Sequence, residues 1–543
     1  MEPRLMTDEN FSTELSPQIQ HARSLSAPYD FRYRNLTDVV FARAGSDAPF
    51  LTFTTDDGTR QQWSYKDLWY QASFLAEHLN KDIGLQVGDR IATLTGNTPE
   101  TVLLYVAAWF LGVTVVPVNS TEDDERIAYI LEHGKVAVAF APPEQAHRVK
   151  ICPVVTKLEF SHCTRGIVNR TLPPDTEALI VYTSGTTGAP KGVVLEHQNL
   201  IADAQGIAAW HGFTENDRAM LVLPIHHVNG IVVTLVTPLV SGGSVVLNRK
   251  FSASRFWKTV AEEKCTWCSV VPTILAFLCE THPSGIAIPP DFRHLICGAG
   301  PLTTDLAKRF DSVFGARVVH GYGLSETTCY SCFLPSDLST AENAHWLWEC
   351  GFPSIGIPLP ENEMAIHDEN GCALPENTRG EIVIRGVNVM RAYFKRPDAN
   401  ASAFTHGWFR SGDEGFWRLG ADGRPYFFIT GRLKELFIRG GVNYSPLEID
   451  EVLNAIPGVK AAMAVGFENN FYGEEIGAYV QREPGVALTE AQILAACLQS
   501  LPFNKAPKVV VFGEEFPVTS TGKYQRGKLK GQFVAWKDAE FRK

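Results

Sequence analysis

An apolar run and the polar loop after it decide how this sequence is interpreted: Leu179-Ile180-Val181-Tyr182-Thr183-Ser184-Gly185-Thr186-Thr187-Gly188-Ala189-Pro190-Lys191-Gly192. The run is typical of a buried strand, and the loop combines hydroxyls, glycines and one lysine. Such a loop can direct backbone N–H groups, hydroxyls and a cation at phosphate oxygens. It is not a Walker P-loop, because that motif ends in Gly-Lys-Ser/Thr, whereas here Pro190 precedes the lysine and Gly192 follows it. The sequence therefore predicts a phosphate-binding loop at the end of a strand.

The composition limits the partners that this chain can take. Its 543 residues suggest two to four domains and a substantial core. They include 49 Lys or Arg and 60 Asp or Glu, which gives a net charge of −11. A surface this acidic argues against nucleic acid or an anionic membrane as the main partner. A small anion such as a nucleotide is compatible with it, because a few positioned cations are enough.

The cysteines and the apolar segments indicate a soluble protein of a reducing compartment. Eleven cysteines in a chain of this length do not make a disulfide framework, and we expect the C-x-x-C pairs Cys265/Cys268 and Cys329/Cys332 to be buried thiols. The N-terminus is polar and lacks the pattern of a signal peptide. The uncharged run from Val102 to Val118 is interrupted by a glycine and a proline, which favours a buried helix and strand over a membrane span. These features predict a cytoplasmic location.

The pattern of helices and strands predicts an α/β fold. From about residue 35, helical patterns alternate with short apolar runs, which is typical of βαβ units and mostly parallel sheets. Residues 381–428 carry short strands and glycine turns, as in a small β-rich subdomain. The last hundred residues resemble a compact α+β module, in which Ser445 and Thr489 are expected N-caps. We expect a loosely ordered leader over residues 1–30, a large N-terminal domain over 31–433 and a small C-terminal domain over 434–543.

Two further loops carry residues suited to a nucleotide. Gly321-Tyr322-Gly323 begins like a dinucleotide fingerprint, but Glu326 stands where the third glycine belongs, which excludes that motif. The Tyr322 ring can stack on a purine, and Glu326 offers an oxygen ligand of the kind that Mg²⁺ binds. Asp413, in a glycine-flanked loop, can accept hydrogen bonds from both hydroxyls of a ribose. Each of these residues alone is also typical of a turn or a surface charge, so only their combination with the phosphate loop indicates a nucleotide site.

Six motifs in a fixed order resemble those of the adenylate-forming superfamily, which includes acyl-CoA synthetases, peptide-synthetase adenylation domains and beetle luciferases. The match runs from about residue 35 to residue 530. The motifs are the loop Tyr182–Gly192, Cys297–Leu302 on the adenine side, Gly321–Thr327, Arg410–Asp413, Gly431–Glu435 and Thr521–Lys523. The resemblance implies a large multi-subdomain N-terminal domain with mostly parallel sheets and a small mobile C-terminal domain. It also implies ATP, Mg²⁺ and coenzyme A as cofactors.

The resemblance assigns roles to individual positions. It implies that Lys523 neutralises charge while the acid attacks the α-phosphate, and that Arg432 assists at the ribose or the α-phosphate beside Asp413. The implied catalytic residues are Lys523, His227 and Glu326, and the implied ligands of Mg²⁺ are Glu326 and Thr186. The complete implied ATP- and AMP-binding set is Thr183, Ser184, Gly185, Thr186, Thr187, Gly188, Lys191, Gly298, Ala299, Gly300, Gly321, Tyr322, Gly323, Leu324, Ser325, Glu326, Asp413, Arg432 and Lys523.

The stretch Leu223–Gly230 is expected to border the acyl group. By resemblance, His227 lies beside the acyl carboxylate, where it positions the group rather than transferring a proton. No aspartate stands between Pro224 and Val232 to bind an α-ammonium, which argues against an amino acid, and no arginine near Gly321 holds a second carboxylate. A fatty or aryl acid with an uncharged tail remains. The implied acyl pocket comprises His227, Asn229, Gly300 and Gly323.

The resemblance also implies two half-reactions. Lys434 matches the hinge about which the family rotates its small domain. The rotation exchanges Lys523 for the loop Arg439-Gly440-Gly441, whose glycines allow close approach of a pantetheine arm but are equally typical of a β-turn. We therefore expect an AMP-forming acyl-CoA synthetase that activates a small-molecule carboxylic acid and releases pyrophosphate. The alternatives are loading of an acyl carrier protein, a luciferase-type oxygenase and a non-catalytic nucleotide-binding protein.

Overall fold

Three β-sheets organise the protein. The computed structural model describes residues 15–55, 58–183, 190–281, 288–517 and 524–542. Within these ranges the first and largest sheet runs, in spatial order, through β16 (Asn362–His367), β17 (Gly380–Gly386), β19 (Phe409–Leu419), β20 (Pro425–Arg432), β15 (Ser354–Pro358), β14 (Cys332–Phe333), β13 (Val318–Tyr322), β12 (His294–Cys297), β11 (Trp267–Val270), β9 (Arg218–Leu221), β10 (Ser244–Leu247), β1 (Pro49–Thr54) and β2 (Arg60–Ser64).

The second sheet contains the strands on either side of the predicted phosphate loop, and the third sheet belongs to the C-terminal module. The second sheet runs through β18 (Ala392–Tyr393), β8 (Lys191–Glu196), β7 (Glu177–Thr183), β4 (Thr114–Pro117), β3 (Arg90–Thr93), β5 (Val138–Phe140) and β6 (Val154–Val155). The third runs through β22 (Val442–Tyr444), β21 (Phe437–Arg439), β24 (Gly473–Arg482) and β23 (Val459–Asn469), and β25 (Val509–Phe512) pairs with β24. The hydrophobic core of the third sheet is separate from that of the large domain and begins at Phe437.

Helices cover the faces of the sheets. The α-helices are α1 (Pro17–Ala22), α2 (Leu36–Phe41), α3 (Tyr65–Lys81), α4 (Pro99–Leu111), α5 (Asp124–His133), α6 (Pro143–Ala146), α7 (His197–His211), α8 (Thr237–Ser241), α9 (Phe256–Glu262), α10 (Pro272–Glu280), α11 (Thr304–Phe314), α12 (Thr340–Ala344), α13 (Pro397–Ala403), α14 (Pro446–Asn454) and α15 (Glu490–Ser500). Short 3₁₀ or π turns cover Asn229–Val236, Ser325–Thr327, His345–Glu349, Thr405–Gly407, Leu433–Glu435 and Arg526–Trp536.

The predicted α/β fold class is confirmed. The ladders from β9 to β13 and from β3 to β6 are parallel, whereas β15, β16, β17, β19 and β20 form an antiparallel block that contains most of the predicted β-rich subdomain. The predicted N-caps are present: the hydroxyls of Ser445 and Thr489 accept backbone N–H groups at the start of α14 and α15. The domain boundary between residues 433 and 434 stays a prediction.

The apolar run from Val102 to Val118 is a buried helix and strand, as predicted. It forms most of α4, whose residues are buried on every side, and then β4. None of the helices in the described ranges has the length and apolar character that crossing a membrane requires. Cys265, Cys268, Cys329 and Cys332 are buried thiols, which confirms that prediction as well.

The segment predicted as a loosely ordered leader contains helix α1, and residues 1–14 lie outside the described ranges, so the leader over residues 1–30 stays a prediction. Helix α1 buries Ile19 and Ala22, and Ser16 caps it. Arg23 forms an ion pair with the fully buried Glu196 at the start of α7. The sequence did not indicate this helix because only two of its six residues are buried, and an ion pair to a residue far along the chain helps to dock it.

Candidate active site

The predicted phosphate loop lies in the chain between β7 and β8, which form an antiparallel pair. Thr183 at the end of β7 stands opposite Lys191 at the start of β8. The predicted loop residues Ser184, Gly185, Thr186, Thr187 and Gly188 lie outside the described ranges. The Lys191 Nζ atom lies 4.0 Å from the centre of the Tyr393 ring. Burial lowers the pKa of Lys191, and the nearby carboxylate of Glu326 opposes this shift.

Glu326 and Tyr393 complete a polar cluster beside Lys191. Glu326 lies in the 3₁₀ turn that follows β13 and is only 9% exposed. The Tyr393 hydroxyl donates a hydrogen bond of 2.8 Å to its Oε1 atom. Tyr393 is brought here by β18, which pairs with β8. Sequence analysis missed Tyr393, because its position follows from a pairing of strands about 200 residues apart and not from a local motif.

A second cluster joins Tyr322, Asp413 and Arg432. Asp413 on β19 stands opposite Arg432 on β20, and Arg432 Nε lies 3.1 Å from Asp413 Oδ1. The Tyr322 hydroxyl donates to Asp413 Oδ2 at 2.7 Å. The carboxylate of Asp413, and more weakly that of Glu326, raises the pKa of Arg432, which places the two clusters side by side. Buried carboxylates with charged or phenolic partners of this kind are strong hydrogen-bond acceptors.

Three of the predicted glycines are required by close packing within the protein. A Cβ atom on Gly323 would lie 1.9 Å from the carbonyl oxygen of Cys329, one on Gly321 would lie 2.2 Å from the Phe333 ring, and one on Gly298 would lie 2.6 Å from the Tyr330 hydroxyl. A Cβ on Gly300 would meet only Pro272, at 3.5 Å. The remaining predicted residues of these loops are Ala299, Leu324 and Ser325, and they follow β12 or belong to the turn after β13.

The predicted acyl stretch leads to a buried set of uncharged polar groups. Asn229 Nδ2 donates to the Tyr330 hydroxyl at 3.3 Å, and Ser269 Oγ donates to Asn229 Oδ1 at 2.7 Å. The rings of His226 and His227 lie 4.3 Å apart. Burial alone lowers the pKa of His226 to about 4, so this ring is neutral near pH 7. Ser269 and Tyr330 were missed, since nothing in their local sequence separates them from ordinary core residues.

A buried pair of carboxyls supports the segment that carries Tyr330. Asp203 Oδ1 on α7 accepts a hydrogen bond of 3.3 Å from the Tyr330 N–H. Glu361 lies against the same face of α7, where a Cβ on Gly206 would meet its carboxyl oxygens at 1.9 and 2.1 Å. Both carboxyls are fully buried. Burial, and then the charge of Asp203, raises the pKa of Glu361 well above its usual value. Burial also raises the pKa of Asp203 well above its usual value.

We expect Glu361→Gln to flatten the pH dependence of stability. A carboxyl whose pKa is raised on folding binds its proton more tightly in the native state, so stability falls as pH rises above about 4, the usual carboxyl pKa. The glutamine side chain of the variant has no titrating carboxyl proton, and its N–H group can donate a hydrogen bond to Asp203. In urea titrations, the unfolding free energy of the variant minus that of the wild type should increase by up to about 1.4 kcal/mol for each unit that the pH rises. Parallel curves from pH 5 to pH 8 would contradict this assignment.

The predicted hinge residue Lys434 and the predicted catalytic residue Lys523 come from the last part of the chain. Lys434 lies in the 3₁₀ turn after β20, close enough to help lower the pKa of Lys191 after burial, the larger cause. The predicted Lys523 lies outside the described ranges. Burial, and then the charge of Glu280 on α10, raises the pKa of its neighbour Tyr524. The N–H of Gln525 donates to the Pro517 carbonyl at 2.7 Å.

The predicted pantetheine loop forms a tight hairpin in this structure. Gly440 and Gly441 connect β21 to β22 with φ values of +58° and +79°, which favour glycine in a two-residue turn. Arg439 points into the small domain, where its Nε atom lies 2.7 Å from Glu475 Oε1 and its guanidinium lies 4.0 Å from the Tyr472 ring centre. In this structure Arg439 therefore contacts Glu475. The predicted contact of Arg439 with the pantetheine arm of the acyl acceptor stays a prediction.

The small domain is docked on the large one by a few polar contacts. The Glu451 carboxylate on α14 accepts hydrogen bonds from the N–H and hydroxyl of Thr304, at 3.1 and 2.8 Å, at the N-terminus of α11. Burial raises the pKa of Glu451 to about 7. Lys460 Nζ lies 3.4 Å from Glu280 Oε1. Polar contacts of this kind are typical of interfaces between domains that move relative to each other.

Comparisons with known proteins show the family of this chain. The family model described as AMP-binding enzyme matches residues 39–394, and the one described as AMP-binding enzyme C-terminal domain matches residues 448–523. A sulfoacetate–CoA ligase of Cupriavidus necator is 36% identical over 463 residues, which cover 82% of this chain and 88% of the relative. An oxalate–CoA ligase of Arabidopsis thaliana is 33% identical, with 84% of this chain and 91% of the relative covered.

The fold has a close structural counterpart. The crystal structure of ATP-bound MatB from Rhodopseudomonas palustris superposes with a TM-score of 0.82 at 28% identity, covering 92% of this chain and 99% of that one. The predicted ATP, Mg²⁺ and coenzyme A are the cofactors of this class of ligase. Glu326, a buried carboxylate beside Lys191, fits Mg²⁺, which binds through one or two carboxylates plus phosphates. The chain belongs to the AMP-binding enzyme family and is an AMP-forming acid–thiol ligase that makes an acyl-adenylate and transfers the acyl group to coenzyme A.

Proposed function

We propose that the two adjoining clusters form the adenylation site of this ligase. The observation that carries the proposal is that Lys191, Glu326 and Tyr393 form one cluster, Tyr322, Asp413 and Arg432 form another, and the charge of Glu326 acts on both Lys191 and Arg432. Lys191 and the loop before it then bind the phosphates, and Asp413 accepts hydrogen bonds from the ribose. Bound Mg²⁺ would supply positive charge at the phosphates, with Glu326 as its protein ligand.

Activation is needed because a carboxylate is a poor acyl donor. The acid's oxygen attacks the α-phosphorus, the bond to the β-phosphate oxygen breaks, and pyrophosphate leaves. Arg432 and Lys523 are proposed to stabilise the negative charge that develops on the α-phosphoryl oxygens. The coenzyme A thiol then attacks the acyl carbon and AMP leaves. His227 positions the acyl carboxylate in this proposal and transfers no proton.

The acid is proposed to have an uncharged tail, fatty or aryl. The support comes from the polar groups around Asn229, because Ser269 and Tyr330 are uncharged and burial alone shifts the pKa of His226. A fixed cation nearby would be expected to lower that pKa further. The second candidate is a short acid with a second anionic group, and the similarity to a sulfoacetate–CoA ligase and an oxalate–CoA ligase favours it.

A panel of acids separates the two candidates. Pyrophosphate release would be measured with fatty and aryl acids of increasing size, and with sulfoacetate and oxalate. We expect at least tenfold higher kcat/KM for the best uncharged-tail acid than for either dianion, because a buried charge without a partner costs several kcal/mol. A higher kcat/KM for sulfoacetate or oxalate would overturn the proposed tail and support the short anionic acid.

The acceptor can be tested in the same assay. With the best acid, coenzyme A and a phosphopantetheinylated acyl carrier protein would each be supplied at equal concentration, and the thioester would be quantified. We expect faster transfer to coenzyme A, in line with the coenzyme A ligases that the chain resembles. Faster loading of the carrier protein would identify it as the physiological acceptor.

A further inference from the structure

A cluster of two imidazoles and one carboxylate lies far from the nucleotide loops, at the C-terminal end of α3. His78 is in the last turn of α3, Asp82 follows four residues later as its C-cap, and His162 comes from the segment between β6 and β7. His78 Nδ1 lies 2.7 Å and His162 Nε2 lies 2.8 Å from the same atom, Asp82 Oδ2. Nothing in the proposed reaction uses these three side chains.

The spacing on α3 is the one that helical metal sites use. Residues i and i+4 lie on one face of a helix, so the His78 ring and the Asp82 carboxylate point the same way. The third residue, His162, approaches from outside the helix, and one potential ligand atom of each residue lies within 4.8 Å of the others. Around a tetrahedral zinc ion with bonds of about 2.0–2.1 Å, neighbouring ligand atoms are separated by roughly 3.3 Å. Small outward movements of the side chains are therefore enough to admit the ion.

The segment that carries His162 is held against α3 by contacts that do not involve the cluster. The Glu77 carboxylate accepts hydrogen bonds from the N–H groups of Arg165 and Gly166, at 3.1 and 3.0 Å. The segment lies so close to the helix that a Cβ on Gly166 would meet the Ser73 hydroxyl at 2.5 Å. These contacts place His162 beside the helix before any ion binds, which lowers the entropic cost of forming a site.

We infer that His78, Asp82 and His162 form a binding site for a zinc-type divalent metal ion that links α3 to the segment before β7. Two imidazole nitrogens and one carboxylate oxygen are ligands that Zn²⁺ accepts, and water can fill the fourth position because the Asp82 and His162 side chains are about half exposed. Mg²⁺ prefers oxygen ligands and binds imidazole poorly, so the ion that accompanies ATP does not compete here. The three residues have no role in the proposed reaction, and all of them lie in the large domain.

Zinc binding to the full-length protein tests this inference. Equilibrium dialysis with Zn²⁺, without nucleotide and with excess Mg²⁺, should show one tight site per chain in the wild type. His162→Gln should weaken that site at least tenfold, because it removes one of three protein ligands. His345→Gln is the matched control, since His345 also faces a carboxylate four residues later, with Nδ1 3.3 Å from Glu349 Oε2. Its Nε2 atom lies 3.4 Å from Cys350 Sγ, so these two neighbours contact opposite sides of the ring and do not bring three ligand atoms to one point. The His345→Gln variant should bind zinc like the wild type.

Thermal unfolding gives a second measurement. Zn²⁺ should raise the melting temperature of the wild type and of His345→Gln, because a ligand that binds only the native state stabilises it. The rise should be lost in His162→Gln and in His78→Gln. Both variants should retain pyrophosphate release in zinc-free buffer, which shows that they are folded. Equal zinc affinity of wild type and His162→Gln, or no binding by the wild type at micromolar zinc, would overturn the inference and leave a hydrogen-bonded triad.

Discussion

Lys523→Ala is expected to lower acid-dependent pyrophosphate–ATP exchange by about 10²–10³-fold, the usual cost of losing one group that stabilises charge in the transition state. The same variant should convert supplied acyl-AMP and coenzyme A to thioester at close to the wild-type rate. The difference arises because the lysine is proposed to act only while the acid attacks the α-phosphate. The second half-reaction is proposed to use the other orientation of the small domain.

The matched control for this variant is Lys528→Ala. Lys528 is an exposed lysine of the same domain, five residues further along the chain. Its loss should leave both half-reactions within about twofold of the wild type, because surface substitutions away from special features have small effects. Equal loss of both half-reactions in Lys523→Ala would contradict the proposal of two orientations. It would also show that the lysine supports the fold or a step common to both.

Glu326→Gln is expected to lower pyrophosphate release by a similar factor and to raise the Mg²⁺ concentration that gives half-maximal rate. The amide keeps the size of the side chain, and it can still accept the hydrogen bond from Tyr393, which is 2.8 Å long in the wild type. It removes the negative charge that a hard cation requires. A higher Mg²⁺ concentration at half-maximal rate would therefore distinguish a metal-binding role of Glu326 from a merely structural one.

Tyr393→Phe separates these two roles of Glu326. It removes the hydroxyl that contacts the carboxylate but keeps the ring beside Lys191 and the charge on Glu326. We expect a modest loss of activity, equivalent to about 1–3 kcal/mol at most for an unsatisfied acceptor, and an unchanged Mg²⁺ requirement. If the phenylalanine variant shifts the Mg²⁺ requirement as far as Glu326→Gln does, Glu326 acts by positioning Tyr393 and not as a metal ligand.

The sequence predicted those features whose signals lie within a few residues. The capping residues Ser445 and Thr489 and the buried α4 are local patterns, and each appears where it was expected. Intrinsic turn and capping preferences act over one or two turns of chain, so they can be read without knowing the topology. The α/β class follows from the alternation of helical and strand patterns, and the ligase family was expected from the resemblance of the six motifs.

The tertiary structure decided which side chains meet. It joined Tyr393 to Glu326 through the pairing of β18 with β8, and it bound the Tyr322 hydroxyl to Asp413. It also docked α1, which the polar composition had hidden, and directed Arg439 into the small domain toward Glu475. These contacts join residues that are up to 366 positions apart along the chain, as between Arg23 after α1 and Val389. They depend on strand order and register, which no local pattern encodes, because the free energy of such pairings comes from burial shared by the whole sheet.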